Sequence, residues 1–409
     1  MSTPIPIRLA ERMSQLPDYL FGKINALRQE KRRAGEDLID MSMGNPIDPT
    51  PVPIVEKLIE VVRDPRTHRY PASVGMYNLR NELAKYYKTQ YDVTLAPEEE
   101  ILFTIGSKEG FSHLCLALLG PGDCAIVPAP AYPIHSYAVV LAGGRYIPVP
   151  IGDDEAFLRQ ADRICAEEQP APRVLFMNYP HNPTGHCVDL DFFREVVKLA
   201  RRRQIIVVHD FAYARVTFDG YEAPSFLQVE GAKEVGVEFG TMSKAFNMAG
   251  WRIGYAMGNR EIIKALGRIK GYYDYGIFQA IQIASIIAIR DCQDHILKQR
   301  DIYQRRRDVV VEGLRSAGWE VNPARGGMFQ WVQIPERWRG MGSVEFSMRL
   351  LDEAKVVVSP GLGFGPEGEG CIRVALVEND KRLRQGMRNI REHFSLRAPL
   401  AGAPMAKAQ

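Results

Sequence analysis

From Pro53 onward the chain alternates short, nearly unbroken apolar runs with longer stretches whose apolar positions recur every three or four residues. The runs predict strands at 101–105, 124–127, 145–149, 174–178, 205–209, 235–239 and 253–257. Ile205-Ile206-Val207-Val208 offers solvent no polar position, and a strand of that kind is buried on both faces. That implies a mostly parallel sheet covered by helices. Helical spacing is clear at 192–201, with Asp189 or Asp191 as its cap. Ahead of this region a helix is expected at 16–33 and a short strand at 38–41, ending in Gly44-Asn45-Pro46. A long helix at 294–312 marks a change of character. Short strands at 319–321, 328–332 and 371–376, with a helix at 343–354, predict a second, smaller sheet. The expected fold class is therefore α/β. A large domain at 51–290 has a mostly parallel central sheet flanked by helices, and a smaller α/β C-terminal domain occupies 291–398. An arm at 1–50 belongs partly with the small domain. The tail, 399–409, has too few large apolar residues to order itself.

Composition narrows the class without naming a function. The 409 residues are 46% hydrophobic and 25% charged, with a formal charge of +3. So small a charge gives no reason to expect nucleic acid or an acidic membrane as partner. The basic triplets Lys31-Arg32-Arg33, Arg201-Arg202-Arg203 and Arg305-Arg306-Arg307 sit in helical spacing and read as solvated helix faces. Six cysteines lack a C-x-x-C pair, which suggests reduced structural thiols and a cytoplasmic home. The start, 1–12, lacks a signal-peptide core, and the most apolar stretch, 277–289, is too short to span a bilayer. The eight histidines suggest no ligand set, so no metal is expected.

The chemistry collects at predicted strand ends, where an open α/β sheet binds its ligand. Gly106-Ser107-Lys108-Glu109-Gly110 joins a strand to a helix. Its backbone N–H groups and the Ser107 hydroxyl form an anion site, or simply a turn with Ser107 as cap. Asn182-Pro183-Thr184-Gly185 is by itself a good turn sequence. Asp210 ends a strand, with Tyr213 three residues on. Thr241-Met242-Ser243-Lys244 is followed by Arg252. A lysine among apolar residues has its amine pKa lowered, as a Schiff-base nucleophile requires, although most lysines are surface residues. An arginine fork and small hydroxyls beside it suit a phosphate monoester. A carboxylate facing a pyridine nitrogen keeps it protonated. Together these groups suit pyridoxal 5′-phosphate. Two rivals fail: no Walker loop is present, and Gly361-Leu362-Gly363-Phe364-Gly365 leads to Pro366 and a strand rather than a helix.

The same motifs resemble the class I/II pyridoxal-phosphate-dependent aminotransferases over residues 15–395. The match rests on Ser243-Lys244 through Gly250-Trp251-Arg252-Ile253-Gly254, Asn182-Pro183-Thr184-Gly185, Asp210-x-x-Tyr213, and Tyr70 followed by Gly75 and Leu79-Arg80. Within that family the likeness is strongest to bacterial alanine (glutamate–pyruvate) transaminases. It is carried by Tyr132-Pro133-Ile134-His135, Val208-His209-Asp210 and Tyr273-Asp274-Tyr275-Gly276.

The resemblance implies that Lys244 carries the cofactor and moves the substrate's α-proton. It gives the ring nitrogen to Asp210, the ring oxygen to Asn182 and Tyr213, and stacking to Tyr132. The phosphate falls to Ser107, the Lys108 amide, Thr241 or Ser243, and Arg252. Arg373, helped by the Gly44 backbone, takes the substrate carboxylate. Tyr70 reaches the phosphate of a neighbouring subunit, so a homodimer is implied. Thr241 stands where the family usually has serine and keeps the hydroxyl. A second arginine for a distal carboxylate is not evident, which favours a small neutral amino acid such as alanine, with a 2-oxo acid as acceptor. Transamination of LL-diaminopimelate, a C–S lyase and a DNA-binding regulator built on the same fold are the alternatives. The regulator would need a basic domain ahead of the motifs.

Overall fold

A computed structural model describes residues 5, 7–17 and 20–396. The tail expected at 399–409 lies outside them. The central sheet has seven strands in the order Ile101–Thr104, Gly254–Gly258, Gly236–Thr241, Ile206–Asp210, Val174–Asn178, Cys124–Ala129, Arg145–Pro150. All neighbours are parallel except Gly254–Gly258, which runs against both of its partners. Four of the seven strands are buried at every residue and two more at all but one, which explains their largely apolar sequences.

The helix Leu190–Arg203 shows how the covering layer is specified. Asp189, rather than Asp191, caps it by accepting from Phe192 N. Phe192, Phe193, Val196, Val197 and Ala200 recur at helical spacing and are buried against the sheet. Each large side chain of this kind contributes about 1.5–3 kcal/mol. The helix stops at Gln204, whose φ of 54° is left-handed, and Arg201–Arg203 lie at the negative end of its dipole.

A second apolar cluster lies under a three-stranded antiparallel sheet, Ser359–Pro360, Cys371–Ala375 and Phe329–Gln333. The strand Ile39–Asp40 pairs in parallel with Val356–Val357, and Ile24 and Leu38 cluster with Leu351 and Val357, so this early segment packs on the C-terminal part. The expected strand at 319–321 is absent. Trp319 and Val321 are buried, but Trp319 anchors itself through its indole N–H to Phe394 O, not through a ladder. The long helix runs Gln293–Ser316 and corrects the reading of one basic triplet. Arg306 and Arg307 are only 5% and 4% exposed, paired with Asp48 and Asp219. Among the described residues no helix is long and apolar enough to cross a membrane.

Candidate active site

Parallel strands that end at Asn178, Asp210 and Thr241 open on the same edge of the sheet. The reversed strand begins there too, because Gly254 lies opposite both Thr104 and Thr241. The four strand-end stretches therefore converge on one cavity of about 670 Å³. Ser107, Lys108, Tyr132, Asn182, Asp210, Tyr213, Thr241, Ser243, Lys244 and Arg252 line it, and Gly44 and Arg373 close it from the C-terminal side. Tyr70 does not line it; that side chain is 89% exposed, with its ring beside Tyr275.

One end is built for an anion. Gly106, not Ser107, caps the helix Ser107–Leu118, with φ of 73°. A Cβ on Gly106 would stand 2.3 Å from Arg252 Nη2, and one on Gly254 would stand 2.4 Å from Ser107 N. Two missing side chains thus let a helix start and a guanidinium approach each other. Arg252 donates from Nη1 to Ala249 O at 3.0 Å. Thr241 donates to Ile253 O at 3.0 Å and accepts from Ser243 N at 3.1 Å, which holds both hydroxyls at the turn.

The middle is polar and specific. Asp210 Oδ2 lies 2.9 Å from His135 Nε2, and its Oδ1 accepts from Ala212 N at 3.1 Å. Asn178 ties the strand ends together, donating to Asp210 O and accepting from Asn182 N, both at 2.9 Å. Asn182 and Tyr213 meet at 3.4 Å. Burial pushes the Tyr213 phenol well above its usual range, so it remains a donor.

Lys244 reaches across to donate to Gly44 O at 2.7 Å. Its amine pKa is lowered to about 8, first by burial and then by the Arg373 and Arg252 guanidinium charges. Arg373 comes from the middle strand of the small sheet. It donates to Asn182 Oδ1 at 2.9 Å and Ser42 O at 2.8 Å, with Phe329 and Phe364 ring centroids 3.9 and 4.5 Å from its guanidinium carbon. Aromatic faces hold such a planar cation in place and keep its fork directed.

Several residues here carried no assigned role in the sequence. His135, Asn178, Phe329 and Phe364 fix the orientation of the groups just described. Phe364 lies in the rejected glycine-rich loop. Arg28, Arg32 and Asp40 also line the cavity, so a second arginine is present after all and one basic triplet is not merely a solvated face. His113 lies beside the carboxylates of Glu109 and Asp274. The buried Lys270 ammonium sits among them, 3.2 Å from Glu109 and 2.8 Å from Asp274, so the cluster is an ion-pair network.

The donor set fits pyridoxal phosphate. Glycines leave room for a phosphate at the helix start, a carboxylate faces the centre, and an amine of lowered pKa lies between the phosphate end and Arg373. Comparison with known proteins agrees. The family model described as aminotransferase class I and II matches residues 36–390. The glutamate-pyruvate aminotransferase AlaC of Escherichia coli K12 is 47% identical over 96% of each chain. An LL-diaminopimelate aminotransferase of Halothermothrix orenii is 42% identical, over 93% of this chain and 97% of the relative. The substrate-bound BacF structure from Bacillus subtilis superposes with a TM-score of 0.86 at 32% identity, over 95% and 98% of the two chains. The chain belongs to the class I and II aminotransferases, and its cofactor is pyridoxal phosphate.

Proposed function

We propose that this aminotransferase moves an amino group between alanine and a 2-oxo acid, with pyruvate and 2-oxoglutarate as the keto partners. The observation that carries the reading is Arg373, clamped between two aromatic rings in the cavity that holds the Lys244 amine. A fork so placed suits an α-carboxylate, and the adjacent amine suits work on the α-carbon. The identity shared with the glutamate-pyruvate enzyme supports the choice of substrates.

Pyridoxal phosphate supplies a carbonyl carbon for amines and a conjugated ring that takes up negative charge when a proton leaves the α-carbon. This chain's groups do the rest. Ser107, the Lys108 amide, Thr241 or Ser243, and Arg252 hold the phosphate. Asp210, oriented by His135, keeps the ring nitrogen protonated. Asn182 and Tyr213 serve the ring oxygen, and Tyr132 covers the ring. Lys244 Nζ, once neutral, takes the proton from the substrate α-carbon and returns it on the other side of the exchange. Gly44 O holds that amine in reach meanwhile.

The division into a large part at 51–290 and a small part at 291–398 gives Arg373 an element of its own to move on. The exposed Tyr70 beside Tyr275 supports pairing with a second copy, checked by light scattering. The six free cysteines suit a reducing cytoplasm. A panel of amino donors and keto acceptors tests the main reading. Alanine with 2-oxoglutarate should give the fastest exchange. A preference for LL-diaminopimelate, or pyruvate and ammonia released from cystathionine, would replace it.

A further inference from the structure

We infer that Arg28, assisted by Arg32, binds the distal carboxylate of a dicarboxylic partner such as glutamate or 2-oxoglutarate, and that Asp40 is the counter-ion for that arginine when the small partner is bound. The inference rests on the amino-transfer reading above. Both partners of such an exchange occupy one site in turn, so one cavity must accept a methyl group and a longer acidic chain.

The cavity extends past Gly44 to the helix Leu20–Arg33, where Arg28 and Arg32 line it together with Asp40 and Glu378. Arg28 is 16% exposed and bonds from Nη1 to Asp40, and Arg32 Nη2 lies 3.8 Å from the same oxygen. Asp40 is fixed independently, accepting from Ser42 N at 3.1 Å and Ser42 Oγ at 2.6 Å. Two guanidinium groups therefore share one carboxylate, and the buried Arg28 Nε has no partner. Glu378, at the same end, shares the field of Arg382.

Geometry ties this end to the chemistry. Ser42 holds Asp40 through its amide and hydroxyl and Arg373 through its carbonyl, and two residues later Gly44 O receives the Lys244 amine. The short segment 40–44 thus sets the span between the α-carboxylate fork and the distal one. A buried arginine with no counter-ion would penalise the methyl-bearing partner. Asp40 removes that penalty, and a second carboxylate uses the donors it leaves free.

The test is the ratio of kcat/KM for glutamate to that for alanine, measured as separate half-reactions of the loaded enzyme. Binding of the unreactive acids glutarate and propionate is followed alongside, by the bound cofactor's absorbance. Arg28→Gln should lower the glutamate-to-alanine ratio roughly ten- to hundredfold and weaken glutarate more than propionate. Arg32→Gln, on the wetter side, should lower it less. Asp40→Asn should raise the ratio. If Arg28→Gln fails to fold, Asp40→Asn decides alone. An unmoved or lowered ratio in Asp40→Asn, or a ratio within twofold of wild type in folded Arg28→Gln, overturns the assignment. A wild-type enzyme that takes an amino group from neither acid overturns the amino-transfer reading instead.

Discussion

His209 and Asp210 are consecutive on one strand, and the alternation of a strand sends them to opposite faces of the sheet. His209 enters a closed polar set. Its Nδ1 lies 2.9 Å from Glu238 Oε2 and its Nε2 lies 3.2 Å from Tyr179 O. Glu238 also accepts from Tyr87 Oη, Ser225 Oγ and Phe226 N at 2.7–3.0 Å. Asp210, one residue on, faces the cavity among groups with capacity to spare. Lys244 has a single hydrogen-bond acceptor, and the buried His135 Nδ1 has no partner. A buried polar set that satisfies itself stabilises the fold. One left open to a cavity is held ready for a ligand.

The sharpest way to break that contrast is to remove one member from each side. Lys244→Ala should cost at least about 10⁴-fold in turnover while the protein folds normally, since it deletes a desolvated amine rather than a packed group. Stopped-flow amino transfer and thermal unfolding check both halves. Glu238→Ala should do the reverse. It leaves Tyr87, Ser225 and His209 buried without their acceptor and should lower stability by about 3–5 kcal/mol in urea titrations. Activity per folded molecule should hold. Equal losses of activity in both variants would erase the distinction.

The open side also has a pH signature with a definite sign. The Lys244 amine is lowered from 10.5 to about 8 in the folded chain. Between those values the unfolded chain binds a proton that the folded one does not, so stability rises with pH across that window. Below pH 8 both states are protonated, and the buried charge costs on the order of 3 kcal/mol. Cofactor-free Lys244→Met should therefore be more stable than cofactor-free wild type below pH 8, and the gain should vanish above 10.5. A gain that persists at pH 11 would trace to packing instead.

How much of this was legible in the sequence follows from the same contrast. The sheet could be read because strands buried on both faces leave nearly unbroken apolar runs, as Val174-Leu175-Phe176-Met177 does. Chemical groups at strand ends could be read because polar residues such as Asp210, at the end of its strand, and Asn182, in the loop after one, interrupt those runs. The missed features depend on distance along the chain. Arg28 meets the cavity only because Ile39–Asp40 pairs with Val356–Val357, more than 300 residues away. Arg306 looks solvated until Asp48 is brought to it. Trp319 satisfies its indole on Phe394 O, and no local pattern announces that.

The smallest effect separates two glycines beside one arginine. Gly106 has φ of 73°, and a Cβ there would lie 2.3 Å from Arg252 Nη2 and 2.9 Å from its Cζ. Gly250 lines the same cavity with nothing within 4 Å of its would-be Cβ. Gly106→Ala should cost about 1 kcal/mol in backbone strain, because a left-handed φ disfavours any Cβ. The guanidinium would yield, being the far end of a flexible side chain, but it would yield away from the helix start that it faces. Phosphate affinity should then fall by about tenfold, since one charge-assisted partner is displaced while the backbone N–H groups stay. Gly250→Ala should leave affinity within about twofold, as its Cβ enters open space. Calorimetric titration of the cofactor-free protein with pyridoxal phosphate measures both. If the two substitutions weaken binding alike, the close approach of Gly106 to Arg252 is not what shapes the anion end of the site.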